Sequence, residues 1–209
     1  MYSVANKVTN IKEYGSPNLL YRNDSFLTTK EVKSYQDLLA SKTWGVSSGG
    51  VENLMYISKD LYNHYAWDGN WDSPCWVANE STEWEDLYKR IAAHMPRHYL
   101  HWVDVKITSY GQTGTPRHRD KDPWTPGGDV NKFSRSLTVL CNLNTNWDSD
   151  WGGGFEVYKT DETGFTKTDT IPITPGQLLI LENCTHSIQP ITKIGKSRIS
   201  VIIHALEYR

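Results

Sequence analysis

The feature that most restricts the fold is a series of short apolar runs, all beyond residue 102, separated by glycine and proline turns. Val103, Val105, Ile107 and Ser109 alternate with Asp104, Lys106, Thr108 and Tyr110, which is the two-residue period of a strand. Further strand-like runs cover residues 136–143, 154–159, 177–181 and 198–205. Between them stand Gly111 and Gly114, Pro126-Gly127-Gly128, Gly152-Gly153, Pro175-Gly176, and Gly195. Parallel strands need long crossovers, usually helical, and no helical pattern lies between these runs. The strands are therefore expected to pair antiparallel, in a sandwich or barrel.

The chain before residue 102 has a different texture. Thr28 and Glu31 have capping-box spacing, and Val32, Tyr35, Leu38 and Leu39 follow at helical intervals. Thr82 and Glu85 repeat the pattern ahead of Trp84, Leu87, Ile91 and Met95, and Pro96 should end that helix. Residues 45–79, rich in Gly, Asn, Ser, Trp and Tyr, suggest no firm element. The expectation is one α+β domain over residues 1–209. Residues 1–101 would form a helical support region packed on one face of a β core made by residues 102–209.

A chain of 209 residues buries roughly 70% of its unfolded surface on folding, so it needs no disulfide framework. Cys75, Cys141 and Cys184 form no close pair, and neither an N-terminal apolar core nor a run of about 18 apolar residues is present. These features predict a reduced, cytoplasmic protein with no membrane span. Lys plus Arg is 22 and Asp plus Glu is 24, a net charge of −2, which argues against a nucleic-acid partner.

The chemistry concentrates in His118-Arg119-Asp120. On a strand, residues i and i+2 share a face, so His118 and Asp120 project together. His186 follows the apolar run 177–181, and two imidazoles with one carboxylate are the facial triad of non-heme Fe(II). The bland alternative is a surface pair of His118 with Asp120. Beyond His186, Arg198 and Ser200 share one face of a strand whose opposite face carries Ile199, Val201 and Ile203. An inward guanidinium is costly unless an anion meets it. A dicarboxylate would supply that anion, as would a protein carboxylate such as Glu182 or Glu156.

The ordered set His118-x-Asp120, His186 and Arg198-x-Ser200 resembles the 2-oxoglutarate- and Fe(II)-dependent dioxygenases, most closely their prolyl 4-hydroxylase-like branch. Supporting elements are Tyr110-Gly111, residues 135–140 leading into Asn142-Leu143-Asn144, Trp151-Gly152-Gly153-Gly154-Phe155, Pro175-Gly176, and His186-Ser187 with Gln189-Pro190. The similarity runs over residues 24–205. It implies a double-stranded β-helix core, a cupin-like jelly-roll. It also implies Fe(II) on His118, Asp120 and His186, with 2-oxoglutarate as co-substrate on Arg198 and Ser200 and further contacts from Tyr110 and Thr138. Ascorbate is an optional reductant and dioxygen a substrate. The implied reaction is hydroxylation of an unactivated C–H bond, foremost in a peptidyl-proline, with an amino acid or other small metabolite as the alternative. No catalytic residue beyond the metal ligands is implied.

The sequence also departs from that branch. Gly154-Phe155 stands where the branch has Glu-Thr, and Arg198 where collagen-type enzymes have lysine. His204 stands where those enzymes have tryptophan and where the nucleic-acid demethylases have a second arginine, which speaks against base repair. A catalytically silent, metal-binding jelly-roll is the rival, and it would have no need of Arg198-x-Ser200.

Other features have simpler readings. His94 and His98 have helical metal-pair spacing but flank Pro96, so they read as solvated or capping residues. Cys184 reads as a small buried hydrophobe. Arg117, Arg119 and Lys121 form a basic cluster. Trp124, Trp147 and Trp151 lie in loops flanking the site, and residues 121–134 read as a long loop, either a lid over substrate or a rigid surface loop.

Overall fold

The computed structural model describes residues 19–40, 44–47, 55–58, 82–111, 115–119, 133–161 and 164–209. Its elements in chain order are β1 (Leu19–Asn23), α1 (Thr29–Ala40), β2 (Trp44–Ser47), β3 (Met55–Ser58), α2 (Thr82–Ala92) and β4 (His98–Ser109). They continue with β5 (Thr115–His118), β6 (Phe133–Asn142), β7 (Phe155–Asp161), β8 (Gly164–Ile171), β9 (Leu178–Glu182), β10 (Thr185–Ile188) and β11 (Ser197–Tyr208). One sheet has the order β1-β9-β6-β11-β4-β3-β2 and the other β5-β10-β7-β8. Among the described residues every strand pair is antiparallel.

The larger sheet is buried on both faces. On its outer face Val105, Val139, Cys141, Val201, Ile203, Leu178 and Ile180 pack against Val32, Tyr35 and Leu39 of α1 and Leu87 and Ile91 of α2. On its inner face Leu140, Leu179, Leu181 and Ile202 meet Phe155, Val157, Ile171 and Ile188 of the smaller sheet. This double burial explains why β9 (LLILE) reads as a continuous apolar run, with no polar side to alternate with. At roughly 1.5–3 kcal/mol per fully buried large side chain, these two layers are the main stabilising force. The result is the expected α+β jelly-roll with helices on one face.

The capping box of α1 forms as read from the sequence. Thr28 donates its backbone N–H and its hydroxyl to Glu31 Oε2, both at 2.7 Å, and the Glu31 N–H donates back to Thr28 Oγ1 at 3.3 Å. α2 stops at Ala92, ahead of Pro96. The N-terminal half nevertheless supplies strands as well as helices: β1 pairs with β9, and β2 and β3 extend the larger sheet beyond β4. The change of texture at residue 102 falls inside β4. Among the described residues no helix is long and apolar enough to cross a membrane.

The turn into β9 needs its glycine. Gly176 has φ +69°, and a Cβ there would lie 2.2 Å from the Leu27 carbonyl oxygen. That contact docks the segment before α1, through the Leu27 N–H on Gly176 O at 3.0 Å.

Candidate active site

Two short strands bring the histidines together. His118 ends β5, His186 lies in β10, and they are register partners with ring centroids 4.3 Å apart. His186 is buried and His118 half-buried. His118 Nδ1 lies 2.8 Å from the Pro116 carbonyl oxygen, and His186 Nδ1 lies 2.9 Å from that of Cys184. A carbonyl can only accept, so both imidazoles carry their proton on Nδ1 and their lone pair on Nε2. This is the tautomer that ligates through Nε2 with its other nitrogen anchored.

Phe155 of β7 stacks on His186, with centroids 4.8 Å apart and planes at 21°. The aromatic ring that stands in place of the branch's threonine thus fixes the plane of one imidazole. Asp120 lies outside the described residues, and among those described no group of three His, Cys, Asp or Glu could hold a metal ion.

Arg198 is in β11, opposite Thr108 of β4 and on the same strand face as Ser200 and Ile202, so it points into the space between the sheets. It is 5% exposed, and its Nε–H has no hydrogen-bond partner among the described residues. Burial pushes its pKa down to about 10, which still leaves it charged at neutral pH. The two carboxylates weighed as partners for it, Glu156 and Glu182, are engaged elsewhere. Glu156 accepts from Ser187, Tyr158, Lys167 and Gln189 on the outer side of the smaller sheet, and Glu182 lies 3.6 Å from Arg135.

Around Arg198 the larger sheet carries a polar row that sequence reasoning missed. Ser200 stands between Lys106 of β4 and Asn142 of β6, and donates its hydroxyl to Asn142 Oδ1 at 3.0 Å. The β4–β11 register puts Lys106 and Thr108 on the Arg198 face, and their alternation with Val105 and Ile107 is the part that the sequence shows. The role of Asn142 depends on register alone. Thr138 pairs with His204, six residues along β11 from Arg198, a span of roughly 20 Å, so the two are not brought together. Tyr110 follows the last residue of β4 at the Arg198 end, with its N–H on Lys196 O at 3.0 Å and 46% of its surface exposed.

The remaining sequence candidates are absorbed by packing. His94 stacks on Tyr21 at 4.7 Å, and His98 sits between the Tyr88 hydroxyl and Pro96 O, so neither is simply solvated. Cys184 joins the inter-sheet core. Trp147 is buried with Ile173, Ile191 and Trp151 in a satellite cluster, its indole N–H on Gly152 O at 3.0 Å. Arg117 lies over Phe165 and Tyr158. Trp124 and residues 121–132 lie outside the described residues, while Phe133 and Ser134, read as loop, begin β6.

Residues 105–205 match the model of the 2OG-Fe(II) oxygenase superfamily. Among solved structures the chain is similar to a Pseudomonas putida prolyl-4-hydroxylase, at 13% identity and TM-score 0.56, covering 90% of this chain and 92% of that one. It is also similar to SnoK, a non-heme alpha-ketoglutarate-dependent carbocyclase from nogalamycin biosynthesis, at 13% identity and TM-score 0.61, covering 90% and 81%. A third is HygX from Streptomyces hygroscopicus with nickel, 2-oxoglutarate and hygromycin B bound, at 13% identity and TM-score 0.58, covering 89% and 82%. These likenesses are of fold. No curated protein sequence matches the chain.

Proposed function

We propose, from the match of residues 105–205 to the 2OG-Fe(II) oxygenase superfamily model, that the chain is a 2-oxoglutarate-dependent hydroxylase of an unactivated C–H bond. The observation that carries the reading is the buried Arg198 guanidinium, which has an unpartnered Nε–H and faces the inter-sheet space. A silent jelly-roll has no use for such a group, because burying a guanidinium with an N–H left unpartnered is costly. A carboxylate arriving there offsets that cost.

The residues present fit the implied groups. His118 and His186 would hold Fe(II) through Nε2, completed by Asp120, and Arg198 would hold the far carboxylate of 2-oxoglutarate. When bound, the pair supplies oxidative decarboxylation to succinate coupled to transfer of one oxygen atom to substrate. The chain supplies position and dryness. The Pro116 and Cys184 carbonyls keep both Nδ1 atoms protonated, and Phe155 holds the plane of the His186 ring. Leu140, Ile202, Phe155 and Ile188 keep the space between the sheets apolar, and a low-dielectric surrounding strengthens the pull of a cation on an anion.

A peptidyl-proline is the leading substrate, on the prolyl-hydroxylase resemblance. A small-metabolite substrate is the second reading, favoured by the likeness to SnoK and HygX. The test is aerobic incubation with Fe(II), 2-oxoglutarate and ascorbate, with proline peptides in one arm and amino acids and polyhydroxylated small molecules in the other. Succinate formed in step with a product one oxygen atom heavier supports the proposal. Absence of 2-oxoglutarate consumption in every arm, with metal loaded, contradicts it.

A further inference from the structure

The polar row beside Arg198 has a direction. It runs from β11 across β6 to Gln177, just before β9, and reaches the surface at Asp24, just past β1. Ser200 Oγ donates to Asn142 Oδ1 at 3.0 Å, Asn142 Nδ2 to Gln177 Oε1 at 2.9 Å, and Gln177 Nε2 to Asp24 Oδ1 at 2.7 Å. The same carboxylate oxygen accepts from Arg22 Nε at 2.8 Å. An ionised carboxylate can only accept, so Gln177 must turn its NH2 outward and its carbonyl inward. Asn142 must then give its NH2 to Gln177 and its carbonyl to Ser200. Only a donor fits that last place, and Ser200 has a single proton.

Nothing in the middle of the row can loosen this order. Gln177 and Ser200 are 0% exposed and Asn142 is 2% exposed, so water is not available as a substitute partner. Turning one amide alone would set like against like in a buried place, carbonyl on carbonyl for Asn142 or NH2 on NH2 for Gln177, so a reversal must turn both together. Asp24 favours the direction seen. Burial raises its pKa, but the bonds from Arg22 and Gln177 outweigh this and hold it below the usual carboxylate value.

We propose that Asp24, acting through Gln177 and Asn142, commits the Ser200 proton to Asn142. The carboxylate of the co-substrate is then held by Arg198 with no hydrogen bond from Ser200. Asp24 is thus a positioning residue, placed three side chains away from Ser200. The inference rests on the reading that Arg198 receives a carboxylate, and it changes what Ser200 contributes there. A hydrogen bond to a charged group is worth roughly tenfold to a hundredfold in affinity, so the two cases are well separated.

The test has two parts. Anaerobic titration of 2-oxoglutarate into the Fe(II)-loaded protein should give Ser200→Ala a Kd within about threefold of the parent, whereas Arg198→Ala weakens it by at least about thirtyfold. In 15N-labelled protein without co-substrate, Asp24→Ala should shift the side-chain amide resonances of both Gln177 and Asn142, and Asp24→Glu should restore them. A larger loss of affinity in Ser200→Ala overturns the proposal, because Ser200 would then be donating to the co-substrate. An Asn142 amide that ignores Asp24→Ala overturns the relay. If the parent protein binds no 2-oxoglutarate, the proposed function fails, and the amide resonances alone decide whether Asp24 governs Asn142.

Discussion

Replacing Arg198 with methionine should make the protein more stable alone and less stable than the parent once co-substrate is present. Arg198 is 5% exposed and its Nε–H is unpartnered. A buried polar group left without a partner costs about 1–3 kcal/mol, and methionine fills similar space with no such group. Some packing is lost in the exchange, so the expected net gain is about 1–2 kcal/mol. In a domain of this size that raises the melting midpoint by roughly 2–8 °C. Co-substrate reverses the order. At a hundredfold excess over its Kd, 2-oxoglutarate stabilises the parent by about 2.7 kcal/mol. The variant, lacking a charge contact worth about 2–5 kcal/mol, gains at most about 0.9 kcal/mol at the same concentration. Urea unfolding followed by circular dichroism, under anaerobic conditions with Fe(II), measures both arms. The reasoning is refuted if Arg198→Met is the less stable protein without 2-oxoglutarate, or if 2-oxoglutarate stabilises the two proteins equally.

Further outcomes follow from single contacts. Burial raises the Glu156 pKa, but donors from Ser187, Tyr158 and Lys167 outweigh it and hold the value below 4.5. Its stabilisation is therefore complete above pH 4.5 and is lost as pH falls through the lower folded value. Glu156→Gln should flatten the decline of the melting midpoint below pH 4.5, and parallel curves for the two proteins would count against this. Gly176→Ala forces a Cβ to 2.2 Å from the Leu27 carbonyl oxygen at φ +69°, so the backbone must move. The expected loss exceeds about 2 kcal/mol in urea unfolding, and a neutral result would contradict the close approach. Thr28→Ala removes the capping hydroxyl of α1 and should cost about 1 kcal/mol, with no change in 2-oxoglutarate affinity.

The architecture was legible wherever burial was one-sided or complete. β4, β6, β7, β9 and β11 each carry an apolar run, and the capping box marks where α1 starts. β8 was invisible because Gly164–Ile171 is a sheet-edge strand with mostly exposed, Thr- and Lys-bearing positions, so burial leaves no apolar alternation. β10, at four residues, is too short to show a period. β1 and β3 take their pairing from β9 and β4, far along the chain, which local propensity does not encode.

The candidate site divides in the same way. His118, His186 and Arg198 stood out because their chemistry is unusual at their positions. The Phe155–His186 stack and the row from Ser200 to Asp24 depend on register between strands tens of residues apart, and no local pattern announces them. Thr138 shows the opposite failure. It has the right residue type and the right sheet face, but its register puts it opposite His204, far along β11 from Arg198.

The central claim is that the histidine pair and Arg198 together hold a metal and a 2-oxo dicarboxylate, and one titration tests it directly. Fe(II) is added anaerobically to the protein, followed by 2-oxoglutarate, while the visible charge-transfer absorption of a bidentate 2-oxo acid on Fe(II) is recorded. The account predicts a saturable band in the parent protein, no band in His186→Ala, and in Arg198→Ala a band that needs at least about thirtyfold more 2-oxoglutarate. A parent protein that binds Fe(II) yet gives no band at any 2-oxoglutarate concentration, or a His186→Ala variant that gives the full band, would contradict it.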